Sequence, residues 1–371
     1  MSAGTGTIAI LVAGTLTGAA FAQADRFSQW DRDGNGKLSR DELPDGPRRN
    51  FDRADTDKDG WISRAEHVAF LRRGTGRTNA PRLPQGVTLQ ADIAYVGNDN
   101  PRQRLDLLLP ARRLNDRPLP VIAFIHGGGW RNGDKRSGLA RLAPYVATGR
   151  YAGVSIGYRL TGEAKWPAQI RDCKAAIRWI KAHADRHQLD PNRIGAWGTS
   201  AGGHLVAMLG VSGGVEELEA ASGPKSKLDG RVTCVVDFFG PTELLSMNDR
   251  PTQIDHNAAD SPEGRLIGGA LPANRDRARH ASPMTYVTAD DAPILIMHGT
   301  KDPLVPYDQS VRFHAALKAA DVSSTLISVT GAGHGLRGPQ VEQRVSRFFQ
   351  RHLLGADLEI PSESIPAAAG R

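Results

Sequence analysis

The chain of 371 residues carries 47 Lys and Arg against 40 Asp and Glu, a formal charge of +7, and 40% of its residues are hydrophobic. That length suits one large α/β domain beside a small one, with enough apolar residues for a sizeable core. The basic residues are scattered without a long run, which argues against nucleic acid as partner, and two cysteines, Cys173 and Cys234, cannot form a disulfide framework.

Residues 1–22 predict a signal peptide. A short apolar core, Thr7 to Gly14, leads into Ala20-Phe21-Ala22, a small-residue site with cleavage expected after Ala22. The stretch is too short and too rich in Gly and Thr for a transmembrane helix, and no later apolar run reaches spanning length. A secreted or periplasmic location and no stable membrane span follow as expectations.

Residues 23–73 predict an EF-hand pair, a small all-α module. The loops run Asp31 to Glu42 and Asp55 to Glu66, starting 24 residues apart. Calcium needs six to eight oxygens in flexible geometry. Side chains at positions 1, 3 and 5, a backbone carbonyl at 7 and a bidentate Glu at 12 supply them, with Gly at 6 for the turn. The candidate Ca2+ ligands are Asp31, Asp33, Asn35, Lys37 and Glu42 in the first loop. In the second they are Asp55, Asp57, Asp59, Trp61 and Glu66. Lys37 and Trp61 act through their carbonyls. Leu38 and Ile62, at position 8, should pair the loops through a short β-bridge. Pro44 and Pro47 limit the helix that leaves the first loop. The short spacing is similar to dockerin repeats, which attach enzymes to scaffolds. The segments Phe27-Ser28-Gln29-Trp30 and Phe51-Asp52-Arg53 resemble ordinary EF-hand entering helices instead. A structural or tethering calcium module, offering a scaffold or surface partner, is expected.

Residues 74–88, punctuated by Gly and Pro from Gly74 to Pro84, predict a linker. A second, larger domain is expected over 89–355. Antiparallel strands open it at 93–96 and 104–109, followed by strands at 121–126, 151–158, 193–198, 232–238, 293–298 and 325–329. Helical patterns fall at 137–148, 167–187, 201–210, 308–320 and 340–352. This alternation predicts a mainly parallel, doubly wound sheet with helices on both faces. Cys173 and Cys234 fall in a helix and a strand and read as small buried apolar residues.

Within that domain Gly198-Thr199-Ser200-Ala201-Gly202 follows an apolar run. It predicts a strand–turn–helix elbow with the Ser200 hydroxyl exposed at the apex and a helix N-terminus aimed at it. Upstream, the strand 121–125 runs into His126-Gly127-Gly128-Gly129-Trp130, a loop whose backbone can approach a carbonyl. Gly128, Gly129 and Ala201 amides are the candidate oxyanion hole. Downstream, Asp302 follows the strand 293–298, and His334 lies in a glycine-rich loop after the last strand. The order Ser200, Asp302, His334 is that of α/β-hydrolases. His298 precedes the turn that carries Asp302, and His314 lies within a helix, so neither is free to reach the serine. Asp290 and Asp291 precede their strand, on the edge away from strand C-termini where such groups gather. His126 and His204 read as structural, and Trp130 either lines the pocket or packs behind it.

Residues from about 90 to 353 resemble the α/β-hydrolase superfamily, most nearly the microbial esterases related to hormone-sensitive lipase and the feruloyl and acetylxylan esterases. The signatures are His126 to Trp130, Gly198 to His204 and His298 to Pro306. Thr199 stands where many hormone-sensitive-lipase relatives carry an acid, which favours the feruloyl-esterase-like branch. The resemblance implies a serine esterase cleaving carboxylic esters, free or linked to plant or algal polysaccharide, with no cofactor for catalysis. The site chemistry itself specifies only acyl transfer. A peptidase or amidase on the same fold, and a calcium-dependent scaffold-attached or binding protein, remain open alternatives. Residues 240–290, the least regular stretch, are expected to shape the substrate pocket. The tail 356–371 is expected to be flexible.

Overall fold

The computed structural model describes residues 27, 30–76, 83–219 and 228–368. The expected signal peptide and residues 77–82 of the expected linker lie outside them. The chain divides into two compact units, Met1–Ala80 and Pro81–Arg371.

In the smaller unit, β1 (Lys37–Leu38) pairs antiparallel with β2 (Ile62–Ser63), Leu38 opposite Ile62. The bridge between the loops falls where position 8 puts it. Between the loops lie two single turns, α1 (Asp45–Arg48) and α2 (Phe51–Ala54), and α3 (Arg64–Gly76) follows. Pro44 sits at the N-cap of α1 and Pro47 inside it, so neither can donate to a longer helix. Phe27, Leu38, Leu43, Phe51, Ala54 and Ile62 form the core.

The larger unit is a nine-stranded sheet. In chain order the strands are β3 (Val87–Ala94), β4 (Arg104–Pro110), β5 (Leu119–Ile125), β6 (Ala152–Ile156), β7 (Leu189–Thr199), β8 (Cys234–Phe238), β9 (Ile294–Gly299), β10 (Ser324–Thr330) and β11 (Ile365–Pro366). Across the sheet they run β3-β4-β6-β5-β7-β8-β9-β10-β11. The first two ladders, β3–β4 and β4–β6, are antiparallel and the rest parallel. The helices are α4 (Leu139–Ala147), α5 (Ala168–Ala182), α6 (Ala184–His187), α7 (Ala201–Val211), α8 (Pro262–Ile267), α9 (Arg275–His280), α10 (Asp308–Ala319) and α11 (Pro339–Leu354).

Alternation along each strand builds two cores. Val121, Ala123 and Ile125 of β5 join one cluster with residues of α5, α7 and α10. Ile122 and Phe124 join the other, with residues of α4 and α11. A strand covered on both faces reads as one continuous apolar run, and the whole of β5 is buried.

Two expectations change. The first strand begins at Val87, inside the stretch read as linker. Val87 and Leu89 pair with Pro110 and Leu108, and a bulge between Gln90 and Ile93 hides the alternation. The tail is ordered through residue 366 in part: Ile365 is buried and pairs with Val329 on the β10 edge. Ile360 and Ala367 pack against the core that Ile365 joins, and Ala367 N donates to Thr330 O at 3.0 Å, which together hold a segment whose composition reads as disordered.

Candidate active site

Ser200 follows β7 and caps α7 with φ +55° and ψ −123°, a conformation costing roughly 1–3 kcal/mol for a non-glycine residue. Its surroundings enforce it. The Ser200 amide donates to Phe238 O at 2.9 Å, and His204 N donates to Ser200 O at 2.9 Å. The two flanking glycines allow the close approach. A Cβ on Gly198 would overlap the Gly202 carbonyl, and one on Gly202 would overlap the Ile125 carbonyl oxygen. Strand, elbow, helix and the neighbouring β5 thus meet at one point.

Gly128 and Gly129 have φ +115° and +58°. A Cβ on Gly128 would overlap the Asn132 carbonyl oxygen, because Arg131 N and Asn132 N both turn back to Gly128 O, at 3.2 and 3.0 Å. The Gly128 and Gly129 amides donate to no described residue. The Ala201 amide opens α7 and has no intrahelical acceptor by position. All three residues line a cavity of about 520 Å³ together with Ser200 and His334, a volume within the usual range for small-ligand sites.

His334 Nδ1 lies 2.7 Å from Asp302 Oδ2. The ring nitrogen facing a carboxylate carries the proton, which leaves Nε2 as the basic atom. Phe239 packs on the imidazole at 4.5 Å. Asp302 is held from every side. Leu304 N and Val305 N donate to Oδ1 at 2.8 and 3.0 Å, and His298 Nε2 reaches Oδ2 at 3.2 Å. Burial pushes the Asp302 carboxyl up, yet the bonds from His298 and His334, the His334 charge and the Val305 amide outweigh it and hold the group well below its ordinary range.

The competing residues are elsewhere or otherwise engaged. His314 Nδ1 meets Ser324 Oγ at 2.8 Å. Asp290 pairs with Arg231, and Asp291 accepts from Thr288. His126 is buried, stacks on Tyr158 at 4.4 Å and turns Nδ1 to Gly127 O at 2.8 Å. His204 is fully buried. Its Nε2 donates to Ala281 O at 2.7 Å and its Nδ1 accepts from Trp130 Nε1 at 3.3 Å. Burial pushes its pKa down to about 4, partly offset by the Ala281 carbonyl, so the ring is a neutral brace between the glycine loop and the segment 240–290. Trp130 both borders the cavity and packs in the core. Cys173 and Cys234 are buried and free.

Three features have a place at the site that the sequence reading did not give them. His298 is the second imidazole on Asp302, and Ser310 Oγ at 2.7 Å orients it from the other side. His256 and Glu263, both buried, join at 2.9 Å and border the cavity from the irregular segment. Arg141 of α4 also borders the cavity. His298 opens the His298–Pro306 signature four residues before Asp302, and His256 and Glu263 share one segment, so of the three only Arg141 is brought in from a distant element.

In the smaller unit, ligand oxygens of Asp31, Asp33 and Glu42 lie within 4.8 Å of one another, as do those of Asp55, Asp57 and Asp59. Glu66 falls outside the second group. As Glu42 does from Arg32 N at 2.9 Å and Ser39 N at 2.7 Å, it accepts from Thr56 N at 2.7 Å and Ser63 N at 3.0 Å. Burial raises the Glu66 pKa, but these backbone and hydroxyl donors bring it down to about 2. Asn35 Oδ1 accepts from Lys37 N, and Asp59 Oδ1 from Trp61 N, both at 2.8 Å, the turn that presents position 7. Asp31 Oδ2 and Asp55 Oδ2 accept from the position-6 glycines at 3.0 Å. Asp31 Oδ1 and Asp55 Oδ1 are buried without a partner. A buried carboxylate oxygen left orphaned in both loops is the donor a cation would satisfy, so these residues fit calcium.

The BD-FAE family model matches residues 105–317, and the EF-hand model matches 22–43 and 50–68. Esterase LipC of Mycobacterium tuberculosis is 33% identical over 239 residues, covering 64% of this chain and 58% of LipC. Probable carboxylic ester hydrolase LipM of the same organism is 29% identical, covering 65% and 55%. The chain thus spans little more than half the length of these two relatives. Among solved structures, a truncated carbohydrate esterase from gut microbiota superposes with a TM-score of 0.67 at 33% identity, covering 72% of this chain and 96% of that one. A bifunctional GH43-CE protein of Bacteroides eggerthii gives 0.66 at 34% identity, covering 71% and 38%. With its mainly parallel sheet and its glycine-framed serine, the chain belongs to the BD-FAE family of α/β-hydrolase esterases.

Proposed function

We propose that the chain is a serine hydrolase of carboxylic esters, with Ser200 as nucleophile, His334 as general base and Asp302 as its orienting acid. One observation carries this: Ser200 is held at a strained elbow on the same cavity as His334, whose Nδ1 is fixed by Asp302. His334 Nε2 takes the Ser200 hydroxyl proton as Oγ attacks the ester carbonyl carbon. The Gly128, Gly129 and Ala201 amides stabilise the negative oxygen of the tetrahedral intermediate. Its collapse expels the alcohol, which takes the proton from His334, and leaves acyl-Ser200. Water, deprotonated by the same base, then releases the acid and restores the serine.

The relatives' names support the ester class, and one structural neighbour is a carbohydrate esterase. We read the substrate as an acetyl or feruloyl ester, small or polysaccharide-linked. The orphaned Asp31 and Asp55 oxygens support calcium in the smaller unit, held by the side chains at positions 1, 3, 5 and 12 with the Lys37 and Trp61 carbonyls, as a structural ion or one that orders a docking surface. The apolar stretch and small-residue site before Gln23 support export.

The test is turnover of 4-nitrophenyl acetate, and of acetylated and feruloylated xylo-oligosaccharides, by wild type and by Ser200→Ala. Loss on the order of 10⁴-fold is expected for a triad nucleophile. Retention of a tenth of the activity in the variant overturns the assignment. Cleavage of a peptide anilide in preference to every ester would instead favour the amidase reading.

A further inference from the structure

Arg141 stands at the third position of α4, with its guanidinium over the rings of Trp197 at 5.5 Å and Phe238 at 5.9 Å. The side chain is half-buried and borders the cavity of Ser200 and His334. Among the described residues it makes no hydrogen bond, and no carboxylate lies within 4.0 Å of it. The charge that acts on it is Glu342 of α11, at longer range and itself held towards its neutral form by burial. A half-buried guanidinium with five donors and no acceptor is costly to keep.

Its setting explains what it keeps those donors for. Aromatic rings cover one face of the planar group, so the N–H groups in its plane face elsewhere. That planar fork matches a carboxylate in bidentate fashion. The neighbouring cavity wall adds Thr199 and Asn132, whose side chains also make no hydrogen bond within the described protein, and the exposed Arg131. The one carboxylate on the wall is Glu263, which is bound to His256. The positive groups on this wall therefore outnumber the negative ones.

Taking the serine-esterase reading as given, we infer that Arg141 is a specificity-determining residue that binds an ionised carboxylate on the substrate, so that the preferred esters carry a second, anionic group. The carboxylate belongs to the acyl chain or to a uronic acid on the alcohol side, and both present the same planar oxyanion to Arg141.

Two substrate pairs separate these sources in the full chain. One compares mono-4-nitrophenyl adipate with 4-nitrophenyl hexanoate. The other compares O-acetylated methyl glucuronoside with O-acetylated methyl glucoside. In at least one pair the anionic member should have the higher kcat/KM, chiefly through KM. Arg141→Gln should cut the anionic-to-neutral ratio about 10- to 100-fold, the worth of a charge-assisted hydrogen bond, and Arg141→Lys should recover part of it. An equal loss for both members of each pair assigns Arg141 to packing and overturns the inference. So does a wild type that prefers the neutral member in both pairs; turnover of that neutral ester leaves the esterase reading intact, whereas turnover of no ester removes both. If Arg141→Gln does not fold, inhibition of wild type decides. Adipate should inhibit at least about tenfold more tightly than adipamide, and equal inhibition overturns the proposal.

Discussion

His298 Nε2 lies 3.2 Å from Asp302 Oδ2, the oxygen that also meets His334 Nδ1 at 2.7 Å. The same His298 nitrogen faces Val305 O at 3.1 Å, and its Nδ1 faces Ser310 Oγ. Nε2 therefore carries the proton and donates. His298 is a buried positioning residue that keeps Asp302 ionised and aimed. His298→Gln should lower kcat/KM about tenfold, the worth of roughly one hydrogen bond, well short of the loss in Asp302→Ala. With one donor gone, the Asp302 pKa rises towards its ordinary value. An unchanged kcat/KM in His298→Gln would leave His298 a packing residue only.

His334→Ala and Asp302→Ala should each reduce kcat by orders of magnitude, and the double variant should be little worse than His334→Ala. The two are joined by one bond and act through one imidazole, and residues that act as a unit do not combine multiplicatively. Single-turnover rates for the four proteins provide the check; multiplying losses would remove Asp302 from the role.

Gly202→Ala should destabilise the fold by about 3 kcal/mol or prevent folding, because its Cβ meets the Ile125 and His126 backbone, which cannot yield like a flexible side chain. Gly162 has open space around its Cβ position, so Gly162→Ala should stay within about 0.5 kcal/mol. Urea midpoints of the two variants compare the predictions directly.

Calcium should raise the melting temperature of the smaller unit. Binding to the folded state alone is worth about 2.7 kcal/mol at a hundred times Kd. Asp31→Asn with Asp55→Asn should abolish the calcium-dependent shift, since both carry the orphaned oxygens. Every catalytic candidate lies at or after Gly128, so ester turnover should be little altered by EDTA. Loss of most activity in EDTA would mean that calcium supports the catalytic unit too.

Acid should destabilise the catalytic unit through His204. Its folded pKa is about 4 against an ordinary 6.5, so the unfolded chain takes up a proton that the folded chain refuses. Stability is unaffected above about pH 6.5, falls as pH drops from there to about 4, and levels below that. Urea unfolding across this window should show a shallower pH slope for His204→Gln than for wild type, whatever the variant's absolute stability. Parallel slopes would mean that His204 is protonated in the fold.

The sequence by itself determined the parts whose information is local. The elbow at Ser200 needs glycines at 198 and 202, the loop at Gly128 needs a backbone without Cβ, and the EF-hand loops need oxygens at fixed spacing. Each requirement is met within a dozen residues, so each can be read in the chain. Alternation and length marked most strands and helices for the same reason. Tertiary structure decided what depends on distant segments meeting. The β3 start at Val87 was hidden because its alternation is broken by a bulge, and its pairing partner lies some twenty residues on. Ile365 became a strand residue only because β10 offers an open edge. Arg141 over Trp197 joins two distant elements, whereas His298 with Asp302 and His256 with Glu263 are neighbours in the chain whose pairing depends on how their loops fold. Packing sets Arg141 and the His256–Glu263 pair on the cavity and holds His298 behind Asp302, away from it.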